Sequence, residues 1–345
     1  MRILMLSLDR KILDADSPVA KRIAALSHAV GEITVLTPEV GNKVLAFFRL
    51  WRKANKLLNY NKQPTTYNLI TVQGTTYLAL LAYLLAKKSR LPFEVQVHGF
   101  ERMFGIRVVI TRFVLQKATK VRVVSERLRT ELTTRYTLHA TRLYVLPVYT
   151  QISAPERHTK RRSLPVPFTF LTIGRLVPVK NIGLQIDALA KLSEKIPHVR
   201  LRIVGDGPLL ESLKFKAESL KLGDKVSFEG FQKDVSRYYS EADAFLFTSD
   251  SEGWGRVALE AAAYRLPIVM TNVGLANEVL HHDKEAIVVP VGDTEQLYLA
   301  MKDIVGHPEL RERLGRAAFA AFVRLPAPEE QIRKQVEAWQ DIAEL

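Results

Sequence analysis

Two successive series of short apolar runs, each interleaved with helical patterns, constrain this chain more than any other feature. The first series falls at residues 2–6, 33–36, 69–72, 94–97, 121–124 and 143–146. The second falls at 168–173, 199–204, 226–229, 244–247, 268–271 and 286–289. Helical spacing separates the first set at 18–29, 77–88, 106–118 and 126–136, and the second at 181–195, 208–220, 234–240, 256–264, 277–281, 295–304 and 307–322. Strands that are apolar at nearly every position lose both faces to other elements. Alternation with helices therefore implies parallel sheets covered on both sides. The expected fold class is α/β, with two doubly wound, Rossmann-like domains. Between the series, 151–167 carries Pro155, Pro165, Pro167 and a basic cluster at 158–162, which marks a linker. The expected division is 1–165 (linker from about 151), 166–328, and a terminal helix over 329–345 that can pack back on the first domain. Ligands of such sheets bind at carboxyl strand ends, and two facing sheets make the cleft between them the expected site.

The chain has 345 residues, 47% of them hydrophobic, which excludes disorder for its bulk. With 0 Cys, disulfides, Cys-based zinc sites and thiol nucleophiles are excluded. The net charge of +14 is unevenly placed. Residues 1–165 hold 28 basic and 10 acidic side chains, while 166–345 hold 22 and 26. A basic first half calls for an anionic partner, either nucleic acid or a membrane surface. The apolar start of the chain is cut off by Asp9, Arg10 and Lys11, so it reads as a buried strand and not as a signal peptide. No stretch approaches the roughly 18–20 apolar residues of a spanning helix. A cytoplasmic or membrane-peripheral location is expected.

The stretch 249–263, SDSEGWGRVALEAAA, follows a strand and opens a helix. Gly253 and Gly255 let backbone approach a ligand closely. Free amides at the helix start favour an anion such as phosphate. Glu252 stands where a carboxylate can accept hydrogen bonds from sugar hydroxyls. Glu260 lies about two turns further on, so the pair could bracket an extended ligand.

Glu252 and Glu260 match the E-x7-E motif of family 4 retaining glycosyltransferases, which have the GT-B fold. The surrounding SEGWGRVALEAAAYRLPIV and the later TNVGLANEVL are similar to that family too. Gly174-Arg175-Leu176-Val177-Pro178-Val179-Lys180-Asn181 resembles its G-R-L-x-x-x-K-N segment, and Gly205-Asp206-Gly207-Pro208 its G-x-G-P turn. Gly230-Phe231 resembles the segment beside the nucleotide base, and His98-Gly99 the segment near the donor sugar. The resemblance implies a nucleoside-diphosphate sugar (UDP or GDP) as co-substrate and no cofactor or metal. Glu260 would take the ribose. Glu252, with Gly253, Trp254, Gly255, Arg256 and Val257, would hold the sugar. Arg175, Lys180 and Gly174 would take the diphosphate, Phe231 would lie by the base, and His98 by the reacting carbon. One departure is plain: the region after the first strand, 7–18, lacks the glycine-rich loop many members carry. Asp14-Ala15-Asp16 has the D-x-D form that another glycosyltransferase fold uses for metal, but it falls outside the strand context such a site needs.

Residues 43–62 read KVLAFFRLWRKANKLLNYNK. Val44, Phe47, Phe48, Trp51, Ala54 and Leu58 recur at helical spacing, among Arg49, Arg52, Lys53 and Lys56, with no acidic residue. This suits either an anionic membrane interface or a helix with one solvated basic face. The resemblance implies a lipid-linked or glycan acceptor on the basic domain, at the inner face of the cell membrane, in polysaccharide or glycolipid synthesis. A soluble acceptor is the alternative. Nucleic-acid binding lacks any recognisable module, and a nicotinamide-dependent oxidoreductase lacks the G-x-G-x-x-G fingerprint after the first strand.

Overall fold

The computed structural model describes residues 1–58, 67–99, 105–148, 152 and 167–345. It divides into two compact units. Unit 1 is Met1–Gln151 with Pro326–Leu345, and unit 2 is Ile152–Leu325. The predicted linker falls outside the described residues except for Ile152 and Pro167.

Unit 1 is built on β1 (Arg2–Leu6), β2 (Glu32–Leu36), β3 (Leu69–Gln73), β4 (Phe93–Val97), β5 (Lys120–Val123) and β6 (Leu143–Val145). Every pairing is parallel, in the order β2-β1-β3-β4-β5-β6. Ile3, Leu4, Met5 and Leu6 are all buried, as a strand covered on both faces requires. The helices are α1 (Pro18–Val30), α2 (Lys43–Leu58), α3 (Tyr77–Ser89), α4 (Ile106–Lys117) and α5 (Glu126–Tyr136). Ser17 starts α1 by accepting a hydrogen bond from the Ala20 amide, with Pro18 in the first turn. α3 packs against α2 on one side and α4 on the other.

Unit 2 is built on β7 (Phe168–Ile173), β8 (Val199–Val204), β9 (Val226–Phe228), β10 (Ala244–Phe247), β11 (Ile268–Thr271) and β12 (Ile287–Val289). Its parallel order is β12-β11-β10-β7-β8-β9. The chain winds outward from β7 to β9, then restarts at β10 and winds the other way. The junction of β7 and β10 is therefore the topological switch point, where open α/β sheets leave a crevice beyond their carboxyl ends. α6 (Ile182–Lys195), α7 (Leu210–Ser219), α8 (Ser236–Glu241), α9 (Arg256–Ala263), α10 (Thr294–Gly306) and α11 (Pro308–Val323) complete it.

The terminal helix α12 (Pro328–Ala343) belongs to unit 1 and packs against α1. Trp339 and Ile342 enter an apolar cluster with Ile3, Met5, Ile23, Leu26 and Leu69. A buried carboxylate fixes the helix: Glu94 of β4 accepts from the Trp339 indole at 2.9 Å, from Thr71 at 2.5 Å and from Gln96 at 3.0 Å. The Tyr144 hydroxyl also donates to Glu94, and Gln335 of α12 donates to that hydroxyl at 3.0 Å. Such a set of donors offsets the cost of taking a carboxylate out of water.

Two sequence expectations are corrected. Residues 277–281 form turns and not a helix. Asn277 adopts φ 57°, a left-handed conformation, and its side chain accepts the His282 amide at 3.0 Å, so the helical ladder has no path through it. In α2 the apolar row is split between two faces. Ala54 and Leu58 are buried with Ala46 and Leu50, whereas Val44 and Phe48 are 63% and 57% exposed. Residues 59–62 of the predicted basic helix lie outside the described residues.

Candidate active site

The switch point of unit 2 brings two sequence segments together. β7 ends at Ile173, and the chain turns through Gly174 and Arg175 into a 3-10 turn, Pro178–Lys180. β10 ends at Phe247 and runs through Thr248–Gly255 into α9. Backbone ties join them: the Asp250 amide donates to the Val179 carbonyl at 2.8 Å, and the Asn181 side chain donates to Asp250 at 2.8 Å. The Thr248 hydroxyl reaches the Lys180 and Asn181 carbonyls at 3.2 Å and accepts from Gln185 at 2.7 Å. Asn181 can occupy this corner because it tolerates its φ of 46°.

On this scaffold Lys180 and Glu252 form an ion pair, with both side chains about one-fifth exposed. Ser249 donates a second hydrogen bond to the same Glu252 oxygen at 2.9 Å. The Lys180 ammonium also stands 5.7 Å from the centre of the Phe247 ring. The cation and the carboxylate are thus preorganised at the mouth of the sheet, partly desolvated, where a charge acts more strongly than in water. Arg175 is exposed and makes no ion pair among the described residues.

α9 begins at Gly255, with φ 98° and no side-chain cap on its first turn. A Cβ on Gly255 would lie 3.1 Å from the Phe247 ring. The first amides of α9, at Arg256 and Val257, are left for an incoming anion. Trp254 is buried, and its indole nitrogen has no partner among the described residues. The loop is held from behind by Gly274, at φ 56°, whose missing Cβ would fall 2.4 Å from the Trp254 carbonyl, and by the Leu275 amide, which donates to that carbonyl at 2.8 Å.

Glu260 sits inside α9 with partners of its own. Tyr239 donates to it at 2.9 Å, and Arg256 lies 3.5 Å away. Burial raises the Glu260 pKa, and the Arg256 charge and the Tyr239 hydrogen bond oppose that shift. Tyr264 stacks on Tyr239 with centroids 5.2 Å apart. Phe231 projects into solvent, 74% exposed, after a left-handed Gly230. The glycines at 205 and 207 have a distinct task. Cβ atoms there would fall 1.9 Å from the Gly174 carbonyl oxygen and 2.5 Å from that of Leu176. The turn after β8 is therefore a backbone buttress for the loop that carries Arg175 and Lys180.

In unit 1, His98 follows β4. Its Nε2 is shielded and has no partner among the described residues. Burial, together with the charges of Arg122 and Arg22, pushes its pKa down to about 3, so the imidazole is neutral. Gly99 follows it, and residue 100 lies outside the described residues. The region after β1, without glycines, forms the 3-10 turn Arg10–Leu13, capped by Asp9 on the Lys11 amide at 3.0 Å. Asp14 accepts from the Asp16 amide at 3.1 Å, so this D-x-D shapes a turn. Among the described residues no group of three or more His, Cys, Asp or Glu could hold a metal. Trp51 of α2 is half-buried near Lys88, whose ammonium lies 5.9 Å from the ring centre. Arg49 pairs with Glu39 at 2.6 Å, and Arg52, Lys53 and Lys56 are exposed. No helix among the described residues is long and apolar enough to cross a membrane.

Sequence reading missed Ser249, Thr248, Asp250, Asn181, Tyr239 and Gly274 as parts of the site. Ser249, Asp250, Asn181 and Gly274 lay inside quoted motifs. Tyr239 gave no signal, because its role depends on α8 lying beside α9.

Residues 155–321 match the model of the family described as glycosyl transferases group 1. An uncharacterized glycosyltransferase of Haemophilus influenzae is 29% identical over 50% of this chain and 48% of its own length. The alpha-D-kanosaminyltransferase of Streptomyces kanamyceticus is 26% identical over 71% of this chain and 69% of its own. The lipopolysaccharide core biosynthesis glycosyltransferase LpsD of Rhizobium meliloti is 31% identical over 43% and 42%. The matches thus span about half the length of two of these relatives and about two thirds of the other. Among solved structures, Anabaena Alr3699/HepE in complex with UDP shares the fold, with a TM-score of 0.78 and 18% identity over 99% of this chain and 100% of that one. That likeness shows the fold, and the two parallel sheets described above follow the GT-B plan.

Proposed function

The chain belongs to the glycosyl transferases group 1 family, and on that premise we propose that it moves a sugar from a nucleoside-diphosphate sugar to a glycan acceptor with retention of configuration. The carrying observation is the Lys180–Glu252 pair at the switch point of unit 2, beside the uncapped start of α9. Lys180, with Arg175, neutralises the diphosphate as negative charge grows on it, and the first amides of α9 add the positive end of the helix dipole. Glu252 accepts hydrogen bonds from sugar hydroxyls, and Glu260 accepts from the ribose. The bond between the anomeric carbon and the diphosphate oxygen breaks, and the acceptor oxygen bonds to that carbon on the same face. The acceptor's proton passes to the departing diphosphate. Fixed cations and amides supply the electrostatic stabilisation, so no metal is required.

His98, held neutral, cannot add positive charge; its unpartnered Nε2 suits a hydrogen bond to a donor hydroxyl. The UDP bound to the Anabaena protein supports UDP as the first donor nucleotide to test, and the named role of the Rhizobium relative supports a lipid-linked glycan acceptor in surface-polysaccharide synthesis. The basic unit 1 suits an acceptor carried at an anionic membrane from the cytoplasmic side. The test is thermal shift and sugar transfer across a panel of UDP- and GDP-sugars, with Glu252→Ala and Lys180→Ala alongside. Transfer should fall at least a hundredfold in each variant with the fold intact. Full activity in both would overturn the site assignment, and no response to any nucleotide sugar would overturn the reaction.

A further inference from the structure

One face of the unit 1 sheet is polar where a parallel sheet calls for apolar side chains. Thr71 and Gln73 of β3, Glu94 and Gln96 of β4, Arg122 of β5 and Tyr144 of β6 stand on it in adjacent register. A narrow cavity separates part of this face from α1 and α12, lined by Gln73, Gln96 and Arg122, by Arg22 of α1 and by Gln331 and Gln335 of α12. Of the groups lining it only Arg22 and Arg122 carry charge, since α12 contributes amides and apolar side chains. Glu94 and Tyr144 next to it are committed to each other and to α12.

Arg122 is buried, and its guanidinium is engaged on three sides. Nε and Nη2 donate to the Leu146 carbonyl at 3.2 and 3.1 Å, and Nη2 also donates to that of Pro147 at 3.0 Å. Nη1 donates to Gln96 Oε1 at 3.3 Å. Charge at both ends fixes the Gln96 amide. Its Nε2 donates to Glu94 at 3.0 Å, and a carboxylate only accepts, so Oε1 is left for the guanidinium. Apolar residues of similar volume often stabilise a fold as well as a buried charge does, so stability alone does not account for an arginine here. His98 lies two residues beyond Gln96, and residues two apart in an extended chain share a face. After burial itself, the charges of Arg122 and Arg22 are what hold its imidazole neutral.

On the proposed contact between His98 and a donor hydroxyl, we infer that Arg122 is a positioning residue for His98. Through Gln96 it ties the end of β4 to the backbone just beyond β6, and it sets a fixed positive charge near the imidazole. The ring is thereby held in one place as a neutral hydrogen-bonding group.

The test is Arg122→Lys, Arg122→Met and Gln96→Leu in the full chain. Each is followed by kinetics from pH 5 to 8 with the UDP- or GDP-sugar that wild type turns over, by UDP titration, and by the His98 ring resonances down to pH 4. Lysine keeps the charge and loses the fork, so the ring should stay neutral while kcat falls about tenfold and donor KM and UDP affinity hold within about twofold. Methionine loses both, so the ring should protonate at a higher pH than in wild type, and kcat should fall off more steeply at the acid end. Gln96→Leu leaves Arg122 on its carbonyls and should lower kcat as lysine does, with a neutral ring. A lysine variant with wild-type kcat, whatever its thermal midpoint, makes Arg122 a structural residue only and overturns the inference. A methionine variant whose ring titrates as in wild type overturns it as well. If the methionine variant does not fold, the other two decide by the same kcat criterion. Wild type that turns over no nucleotide sugar overturns the role of His98 and the inference with it, whereas failure of the inference alone leaves wild-type transfer and UDP binding intact.

Discussion

Neutrality of His98 can be tested through protein stability, without any knowledge of the substrate. In the unfolded chain an imidazole titrates near about 6.5. In the fold its pKa is about 3. Because the folded value is lower, protonation favours the unfolded state. The stability held above the unfolded pKa is lost as pH falls from that value towards the folded one. Each pH unit inside the window is worth about 1.4 kcal/mol. Between pH 7.5 and pH 5.0 about one and a half units of the window are crossed, so His98 should cost the fold about 2 kcal/mol. Denaturant unfolding of wild type and His98→Gln at the two pH values isolates this cost, since the other titrating groups are common to both proteins. Wild type should lose about 2 kcal/mol more than the variant, and the His98 ring resonances should keep their neutral shifts at pH 5. Equal losses, or a ring that titrates between pH 6 and 7, would refute the burial argument. The hydrogen-bonding role given to the imidazole would then fall with it.

The remaining predictions concern the scaffold of the donor site. Gly205→Ala puts a Cβ 1.9 Å from the Gly174 carbonyl oxygen at a φ of 136°, so unfolding free energy should drop by about 3 kcal/mol or more and donor affinity should weaken, whereas Gly223→Ala, with open space around it, should stay within about 0.5 kcal/mol of wild type in the same denaturation assay. Tyr239→Phe keeps the stack on Tyr264 but removes the hydroxyl that donates to Glu260, so steady-state kinetics should show the donor KM rising about tenfold with kcat little changed. An unchanged KM would mean that Glu260 is placed without Tyr239.

The strands were legible because their burial leaves a direct trace: Ile3–Leu6 and Ala244–Phe247 are apolar without interruption. Gly255 was legible because a helix start at positive φ beside the Phe247 ring restricts residue type locally, whereas Glu252 and Glu260 stood out only through the E-x7-E resemblance. What was missed in α2 and at Glu94 depended on long-range packing. Helical spacing cannot say which of two apolar stripes in α2 meets the core, since that is settled by α3 and the sheet beneath. The 277–281 segment has helix-compatible spacing, and a single left-handed Asn277 overrides it. Glu94 read as an ordinary strand residue. Its four donors come from β3, β4, β6 and α12, and the last is 245 residues away.

The charge asymmetry gains a structural meaning once individual side chains are followed. In unit 2 many cations are neutralised within the molecule: Lys180 by Glu252, Lys191 by Glu295, Arg202 by Glu229 and Glu241, and Lys216 by Asp187. On the α2–α4 face, Arg49 has Glu39, but Arg52, Lys53, Lys56, Arg107, Arg112 and Lys117 have no ion-pair partner among the described residues. Like charges gathered on one face repel one another and disfavour the compact state. Acidic residues three or four positions before Arg52, Arg112 and Lys117 would relieve this at no cost to the core, because those positions are exposed. They hold Phe48, Val109 and Phe113 instead. In unit 2 these cations are balanced within the molecule; on the α2–α4 face of unit 1 most are left unneutralised beside exposed apolar side chains.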